Sequence, residues 1–430
     1  MKKWLFLLGF SLLIVALTAC GSNGTDAGSD ADSGSGDTGA TDSGEPVTIT
    51  YFQPGVDQPG TREGIEAMVE RFEAANPDIK VELETAGWDD TYQKLVTNFS
   101  AGEAPDVIYG GTRWVPAFAA MDGIIPLDDY AAERIQLYHK PLQENVRFND
   151  KIYAIPRAFS ARSLIYRTDL IDEPPTTWEE LVETAQQVQE ENPDMYGFAV
   201  SGAKHVSTVE QFLNFLFQNG GDVFDEDGNA ILNSPEAVEA LQFYADLHLK
   251  HQVVPNPLEY NREQLPTLFQ EGKIAMYVIG PWGKSMMGID EDDEETPFAT
   301  ALLPQGKEMA NVFGSDSLMI SKNSEHPDAA WRFIEFITQP EEQKAYDLDQ
   351  GMVPIQIEEA DEPEFHEDPY FATFVEMVEY GRPAPKPLAW EPFEEIVAEA
   401  IQKAFSGEDV QAVLDEAVQK IKEEQLEPKS

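Results

Sequence analysis

The sequence predicts a mixed α/β fold, in which helices cover a parallel sheet, from segments at the start of its folded part. Residues 47–51 and 79–83 alternate apolar and polar side chains, as strands with one buried face do. Between them, residues 65–72 place apolar side chains at the i, i+3, i+4 and i+7 positions of one helix face. A strand, a helix and a strand within about forty residues form a βαβ unit, which implies parallel strands. Residues 106–109 predict a further strand.

The pattern continues along a chain of 430 residues, which is long enough for two or more lobes. Thr176 and Thr177 each precede a glutamate by three residues, the capping-box signature of a helix start. Pro327 is expected to open another helix. Apolar stripes predict two C-terminal helices, over residues 396–405 and 410–421, and we assign these stripes to core packing.

The N-terminus is typical of an export signal. Two lysines precede an apolar run over residues 4–17, and small residues separate this run from Cys20. This order predicts a secretory signal peptide over residues 1–19. Residues 17–20, Leu-Thr-Ala-Cys, also resemble the lipobox of bacterial lipoproteins, which implies cleavage before Cys20 and a lipid on its sulfur. The alternative is an ordinary signal peptide with an incidental cysteine.

Residues 20–45 predict a tether. After Cys20 they comprise only Gly, Ser, Thr, Ala, Asn, Asp and one Glu, so we expect a disordered acidic linker that cannot bury a core. Cys20 is the only cysteine, which leaves no disulfide within the chain. Signal, lipid and linker together predict a protein anchored by its lipid to the outer face of a bacterial cell membrane, of the Gram-positive type.

The chain is strongly acidic, with 79 acidic and 29 basic residues and a net charge of −50. Such a charge argues against nucleic acid as a partner, because phosphates require a basic surface. It also disfavours an anionic ligand, unless arginines at the site outweigh the negative potential of the rest of the chain. Two interpretations remain: attraction of a cationic partner, or a solvated surface suited to a saline or alkaline medium. We favour the second.

Linear signatures of catalysis and metal binding are weak or missing. The sequence contains no His-Glu-x-x-His, Gly-x-Ser-x-Gly or P-loop motif. His248 and His251 share a helical spacing that alone is weak, and we expect them on the surface. Residues 225–236 imitate part of a calcium loop, but the glycine stands at the fourth position instead of the sixth, so we expect a tight turn before a helix near Pro235. No cofactor and no metal site are predicted.

Large aromatic residues beside turns are the better candidates for a site. Trp282 follows Gly280-Pro281 at the end of an apolar strand, where open α/β sheets present their binding loops. Trp114 comes soon after the strand that ends at Tyr109, and Trp390 follows a proline-rich stretch. Indole faces suit sugars, which have an apolar C–H face and a rim of hydroxyls. For each tryptophan, core packing is the alternative.

Short segments in a fixed order over nearly the whole mature chain add a resemblance to these features. They are residues 103–107, 123–127, 152–156, 164–170, 175–181, 269–276, 280–282 and 351–354. As a set they resemble the family 1 extracellular solute-binding proteins, the maltose- and trehalose-binding type that serves ABC importers. Each segment alone is a weak match.

The resemblance implies a two-lobed, type II periplasmic-binding-protein-like fold with the ligand in a cleft between the lobes. It places crossing hinge segments near residues 156–163, 299–305 and 338–350. The implied N-terminal lobe combines residues 46–156 with 305–340. The implied C-terminal lobe combines residues 163–300 with 345–430.

The resemblance also implies ligand-binding residues. Trp282 matches the stacking aromatic, and the hinge strand contributes Phe159, Ser160 and Arg162. Three further groups complete the implied site: Gln53 and Asp57 after the first strand, Trp88 and Asp90 after the second, and Arg382 and Trp390 on a C-terminal segment that often closes the cleft. Trp114, chosen above as an aromatic residue beside a turn, is a further candidate.

Two loops depart from the family pattern. Gly314, Ser315 and Asp316 match a loop that often has the sequence Gly-Gly-Trp, so Asp316 exchanges stacking for hydrogen bonding. Gly110 and Gly111 stand where members commonly have an aromatic residue or an aspartate.

The implied function is capture of a neutral mono- or oligosaccharide and its delivery, without any covalent chemistry, to the permease subunits of an ABC transporter. We expect a monomer. Two alternatives remain: the same fold binding a peptide, a polyamine or a metal, and a secreted glycoside hydrolase, which would need a carboxylate pair that no linear motif identifies.

Overall fold

The computed structural model describes residues 46–56 and 61–428. The predicted signal peptide, Cys20, the linker up to residue 45 and Asp57 lie outside these residues. The strands are β1 Val47–Phe52, β2 Ile79–Glu84, β3 Val107–Gly111, β4 Arg147–Phe148, β5 Lys151–Ile152, β6 Ile155–Ser160, β7 Ser163–Arg167, β8 Met276–Ile279, β9 Phe298–Ala301, β10 Asn311–Ile320 and β11 Gly381–Pro383. The helices are α1 Arg62–Ala75, α2 Trp88–Ala101, α3 Val115–Ala120, α4 Asp128–Ala131, α5 Lys140–Asn145, α6 Trp178–Glu191, α7 Val206–Gln218, α8 Pro235–Leu249, α9 Leu265–Gln270, α10 Gly283–Met287, α11 Pro327–Ile337, α12 Pro340–Gln350, α13 Pro363–His366, α14 Pro369–Val378, α15 Trp390–Phe405 and α16 Val410–Glu423.

The larger sheet has the strand order β11-β10-β3-β1-β2, and β6 also pairs with β10. β1 is parallel to β2 and to β3, so the predicted βαβ unit is confirmed. Helix α1 buries Ile65, Met68 and Phe72, part of the apolar face predicted from the sequence. β10 returns antiparallel to both β3 and β6. The carboxyl ends of β1, β2 and β3 therefore meet at one edge, where open α/β sheets bind ligands.

The smaller sheet has the order β8-β7-β9, and both of its strand pairs are antiparallel. The parallel arrangement predicted from the first βαβ unit thus does not extend to this sheet. The relative direction of these strands could not be predicted, because a short buried segment carries no information about strand direction.

Each sheet is the centre of one lobe, and the connections between them are short. We call the larger sheet and its helices the large-sheet lobe, and β7–β9 with the helices around them, including α7, α8, α14, α15 and α16, the small-sheet lobe. The chain passes from β6 directly into β7, and it returns between β9 and β10. Helix α12 packs against α1 and α11 in the large-sheet lobe.

Several local predictions are confirmed. Pro327 is the first residue of α11, and the two C-terminal stripes form α15 and α16. The side chain of Thr177 accepts a hydrogen bond from the Glu180 backbone and caps α6. The Asp225 carboxylate accepts hydrogen bonds from the backbone of Asp227 and Asn229, which makes this segment a tight turn.

A charged cluster is buried where α12 packs against β6. The Arg157 guanidinium donates to the Ile337 carbonyl at 2.6 Å and to Gln343 Oε1 at 2.8 Å, and it stacks on the Tyr346 ring with Cζ 3.8 Å from the centroid. Asp347 and Glu359 are buried beside it. These hydrogen bonds and the stacking on Tyr346 stabilise the buried guanidinium, although its Nε has no partner among the described residues.

Asp347 and Glu359 interact directly through their carboxyl groups. The Gln343 amide donates to one oxygen of Asp347 at 2.9 Å, and the Ile355 and Gln356 backbone amides donate to one oxygen of Glu359 at 3.2 and 3.3 Å. Burial and the neighbouring Glu359 raise the pKa of Asp347 well above its usual value, and burial raises the pKa of Glu359. Two carboxyls in one buried site cannot both ionise cheaply, so they share a proton.

This shared proton makes folding stability fall as pH rises. The unfolded chain loses both carboxyl protons near pH 4, whereas the folded pair retains one, so the stabilisation is complete at acid pH and disappears as pH passes through the raised folded pKa. Asp347→Asn supplies an amide N–H in place of the proton at every pH. We therefore expect the Tm difference, variant minus wild type, to be larger at alkaline pH than at pH 5 by at least about 2 °C.

Thermal denaturation followed by circular dichroism measures this difference. Asp349→Asn, an exposed aspartate on the same helix, is the control. An equal Tm difference between the Asp347 variant and the wild type at both pH values would show that the pair does not hold a proton.

Candidate functional site

Trp282 stands where the small-sheet lobe faces the hinge. It follows buried strand β8 through Gly280 and Pro281, and its ring folds back over Gly280, where a Cβ atom would lie 2.1 Å from the indole. A glycine is therefore required at position 280 for this ring position. Two guanidiniums lie over the half-buried indole, with Cζ of Arg162 5.1 Å and Cζ of Arg262 5.3 Å from its centroid.

Glu210 holds these two arginines. Arg262 Nη1 lies 2.7 Å and Arg162 Nη2 lies 3.2 Å from Glu210 Oε2, and all three residues are buried. Burial alone would raise the pKa of Glu210, but Arg262, Arg162 and Arg113 outweigh it and lower the pKa to about 2. Burial and the nearby Arg262 lower the pKa of Arg162 to about 10, so it remains charged at neutral pH.

The hinge strand meets the end of β10 beside this cluster. Gly314 pairs with Ser160 and Ser315 pairs with Phe159 in the antiparallel ladder. Arg162 Nη1 donates to Ser160 Oγ at 2.9 Å. Phe159 is buried against Phe313, with ring centroids 4.9 Å apart, so its ring serves the core.

A second aromatic cluster crosses from one lobe to the other. After β3, a short 3₁₀ turn carries Arg113 and Trp114, and Trp390 begins α15 in the small-sheet lobe. The Arg113 Cζ lies 5.0 Å from the Trp114 ring centroid and 5.3 Å from that of Trp390. Its Nη1 is 4.0 Å from Glu210 Oε1, which links this cluster to the first. Trp88 packs on Trp114, with ring centroids 6.1 Å apart.

Asp316 ends a chain of hydroxyl groups at the same edge of the larger sheet. The Tyr109 hydroxyl donates to Asp316 Oδ2 at 3.1 Å, and the Tyr346 hydroxyl donates to that of Tyr109 at 3.2 Å. Burial raises the pKa of Asp316 to about 6. Gln53 is buried nearby and accepts a hydrogen bond from the Tyr51 hydroxyl.

Glu394 is the corresponding carboxyl of the small-sheet lobe. It accepts a hydrogen bond from Trp390 Nε1 at 2.7 Å, and burial raises its pKa to about 7. The positive charge of Arg113 opposes the rise in the pKa values of both Glu394 and Asp316, so it acts on carboxyls of the two lobes. The arrangement offers indole faces, guanidinium N–H donors and carboxylate acceptors, which together suit a solute with an apolar face and many hydroxyls.

A family model described as bacterial extracellular solute-binding protein matches residues 58–344 of this chain. The chain belongs to this family.

Individual relatives and solved structures support this family membership. The chain is 28% identical to the maltotriose-binding protein of Pyrococcus abyssi over 76% of its own length and 71% of the relative's. It is 24% identical to the maltooligosaccharide ABC transporter solute-binding lipoprotein of Streptococcus pneumoniae, strain R6, over 98% and 97% of the two chains. The structure of maltose-bound MalE3 of T. maritima superimposes with a TM-score of 0.78 at 28% identity, covering 88% of this chain and 99% of that one.

The two-lobed α/β fold expected from the sequence is confirmed by this match, and the family is one that binds solutes and performs no catalysis. Within residues 46–56 and 61–428, no helix is long and apolar enough to cross a membrane. In the same part of the chain, no group of three His, Cys, Asp or Glu side chains is arranged to hold a metal ion.

Most of the residues predicted for the site of this solute-binding protein lie in the two clusters or beside them. Asp90 is exposed on α2. Arg382 points elsewhere: its guanidinium pairs with Asp222 and lies over Phe217, with Cζ 4.3 Å from the ring centroid. Asp57 lies outside the described residues. The other predicted residues that approach the clusters are Gln53, Trp88, Trp114, Phe159, Ser160, Arg162, Trp282, Gly314, Ser315, Asp316 and Trp390.

The sequence analysis missed Arg113, Glu210, Arg262 and Glu394. A usable signal existed for Glu210, which is the only charged residue in the sequence of α7. A buried charge in such a helix requires partners. No comparable signal marks Arg262, because arginine is common in exposed turns.

Proposed function

We propose that this solute-binding protein captures a neutral mono- or oligosaccharide outside the cell and delivers it to the permease of an ABC transporter. The observation that carries the proposal is the half-buried indole of Trp282 beside planar hydrogen-bonding groups, the guanidiniums of Arg162 and Arg262. Indoles stack on the apolar face of a pyranose, while guanidinium and carboxyl groups bind its hydroxyls.

The relatives support a sugar and suggest which to try first. The names of the two relatives specify maltotriose and maltooligosaccharides, and the T. maritima structure contains maltose. We infer that short α-linked glucose oligomers are the first candidates for this chain.

The mechanism that we propose is closure of the two lobes on the ligand. A solute that contacts Trp282 in one lobe and Asp316 in the other binds the closed form more tightly than the open one, so it shifts the hinge equilibrium by that difference. The permease would then recognise the closed shape. We place the hinge at the β6–β7 and β9–β10 connections. We extend the predicted N-terminal lobe beyond residue 340 to include α12, because this helix packs against α1 and α11.

We further propose that the protein is anchored by a lipid on Cys20 and held away from the membrane by the linker. The lipobox residues before Cys20 and the description of the Streptococcus relative as a lipoprotein support this. Mass spectrometry of the N-terminal peptide of the exported protein tests it, and an unmodified Cys20 within a longer chain would contradict it.

Calorimetric titration tests the proposed ligand class. We expect at least one sugar among glucose, maltose, maltotriose, maltotetraose and trehalose to bind with a Kd of about 1 μM or below. Spermidine and a tripeptide are the controls for a cationic or peptide ligand. Absence of heat with every sugar would refute the proposal, and release of reducing ends from an oligosaccharide would favour a hydrolase instead.

A further inference from the structure

The chain crosses between the lobes a third time after α12. Helix α12 packs in the large-sheet lobe, whereas α14 packs against β7 and β9 of the small-sheet lobe. The residues that connect these two helices therefore have to accommodate any relative motion of the lobes. We call the first part of this connection, residues 351–359, the third hinge segment.

The third hinge segment contacts both lobes. The Val353 backbone amide donates to the Phe159 carbonyl of β6 at 3.3 Å. Gly351 ends α12 and lies against the small-sheet lobe, because a Cβ atom at this position would be 3.5 Å from the Pro281 carbonyl oxygen and 3.6 Å from Trp282 Cα. A change in the path of this segment would therefore alter how the Trp282 backbone meets the hinge strand.

Asp347 and Glu359 connect the two ends of the third hinge segment. Asp347 lies in the last turn of α12, and Glu359 is the final residue of the segment. Oδ1 of Asp347 and Oε1 of Glu359 are buried and accept no hydrogen bond from any other group of the described residues. Because buried polar atoms nearly always have a partner, the shared proton between these two carboxyls is the donor that both oxygens require. We call this pair the carboxyl staple.

Other charged groups around the carboxyl staple do not replace its proton. Burial raises the pKa of both carboxyls, and the opposing effect of Arg157 is smaller. Tyr138 is close to Asp347 and stays neutral, since burial raises its pKa to about 12. The remaining charged groups on the elements packed against the staple have partners of their own: Arg134 with the Thr338 carbonyl, Lys344 with Glu362 and Glu364, and His366 with the Ala360 carbonyl.

We propose that the carboxyl staple is a pH-dependent control on lobe closure: with its proton it holds the third hinge segment in the path that suits the closed cleft, and its ionisation shifts the protein toward the open form. This inference rests on the closure mechanism of the proposed function, but not on the identity of the sugar. The lobes are in contact in the structure, since Arg113 of one lies over Trp390 of the other, so the stapled path belongs to lobes that have come together. Two ionised carboxylates repel each other in a buried site, and the ends of the segment then separate.

The direction of the pH effect follows from proton linkage. The carboxyls bind their shared proton more tightly in the stapled, closed form than in an open form whose carboxyls are separated and hydrated. The stabilisation of the closed form is therefore complete at acid pH, below the pKa values of the separated carboxyls, and is lost as pH rises through the raised pKa of the pair. The closed-to-open ratio falls by up to about tenfold for each pH unit between these limits, and affinity for a ligand of the closed form falls with the closed population.

Calorimetric titration of the wild type and Asp347→Asn over a range of pH tests the inference. The asparagine donates an N–H to Glu359 at every pH and keeps the single negative charge of the protonated pair. From about pH 6 to about pH 10, we expect the wild-type Kd for the tightest-binding sugar to rise at least about fivefold more than the Kd of the variant. Groups of the cleft that titrate in this range, Asp316, Glu394 and Arg162, are present in both proteins, so their contribution cancels.

Small-angle scattering without sugar gives a second readout. The radius of gyration of the wild type should increase over the same pH range as the lobes open, whereas that of Asp347→Asn should stay constant. Glu359→Gln supplies the N–H from the opposite side and should behave like the asparagine variant, which covers the case in which one of the two does not fold. Asp349→Asn, at an exposed position on α12, should follow the wild type in both measurements.

Two outcomes would overturn the inference. If the Kd changes with pH to the same extent, within about twofold, in the wild type and in both variants, and the radius of gyration stays constant, the pair stabilises the fold without acting on the hinge. A larger radius of gyration at acid than at alkaline pH would show that the protonated staple favours the open form. If the wild type binds no sugar at all, the proposed function fails, and the scattering series alone decides whether the staple controls the hinge.

Discussion

Replacing Trp282 with alanine should weaken sugar binding by between about 10-fold and 100-fold, because the sugar would lose the stacking surface that we propose for it. The same substitution removes the indole from beneath Arg162 and Arg262, whose Cζ atoms lie 5.1 and 5.3 Å from its centroid. These guanidiniums then lose the surface that fixes their orientation toward the ligand. Both effects reduce affinity for a solute with an apolar face, and neither would greatly affect a cation held by carboxylates.

Calorimetric titration of Trp282→Ala and Trp282→Phe measures this effect. The phenylalanine variant retains a smaller ring and should recover part of the affinity. Trp331→Ala is the matched control, because Trp331 packs on Tyr130 in the large-sheet lobe, with ring centroids 5.5 Å apart. It should lower Tm while leaving the Kd for sugar unchanged. A Trp282 variant with wild-type affinity would place the sugar elsewhere in the cleft.

Periodicity was sufficient to predict the elements whose burial is one-sided. The alternating strands β1 and β2 and the amphipathic helices α1, α15 and α16 lie where the pattern placed them. Strand direction in the smaller sheet was not predictable, since β7 and β8 are short, mostly buried and show no alternation. Sheet order was equally out of reach, because β10 joins β3 and β6 through contacts separated by more than 150 residues.

Residues of the candidate site could be predicted from the sequence where a large aromatic residue follows a turn. Trp282 after Gly-Pro is such a case, and the structure places it beside the hinge strand. Trp114 and Trp390 were expected on loops, yet they are only 3% and 1% exposed, because each packs against aromatic neighbours while one face meets Arg113. Arg113 itself could not be recognised, since its neighbour Trp390 is distant in sequence and belongs to the other lobe.

Glu210 carries the largest expected effect on stability, because it is the carboxylate between two buried arginines. Glu210→Gln keeps the side-chain shape but removes the carboxylate that pairs with Arg162 and leaves Arg262 with Glu263 alone. Removal of one partner from a buried ion pair costs about 3–5 kcal/mol of unfolding free energy. The lowered pKa of Glu210 gives a similar estimate of this free energy. A decrease from 4.5 to about 2 corresponds to about 3 kcal/mol of preferential stabilisation of the charged form.

The same pKa fixes the direction of the pH dependence. Since the folded pKa lies below the unfolded value, the stabilisation from Glu210 is complete above about pH 4.5 and is lost as pH falls toward 2. Urea denaturation at pH 7 should therefore show a loss of about 3 kcal/mol or more for Glu210→Gln, and the variant should lose less stability than the wild type on acidification. Glu239→Gln, which removes an exposed pair with Lys307 at 2.6 Å, should cost less than about 1 kcal/mol. A Glu210 variant as stable as this control would mean that the arginines find other partners, and the charged cluster over the Trp282 indole would then not depend on this carboxylate.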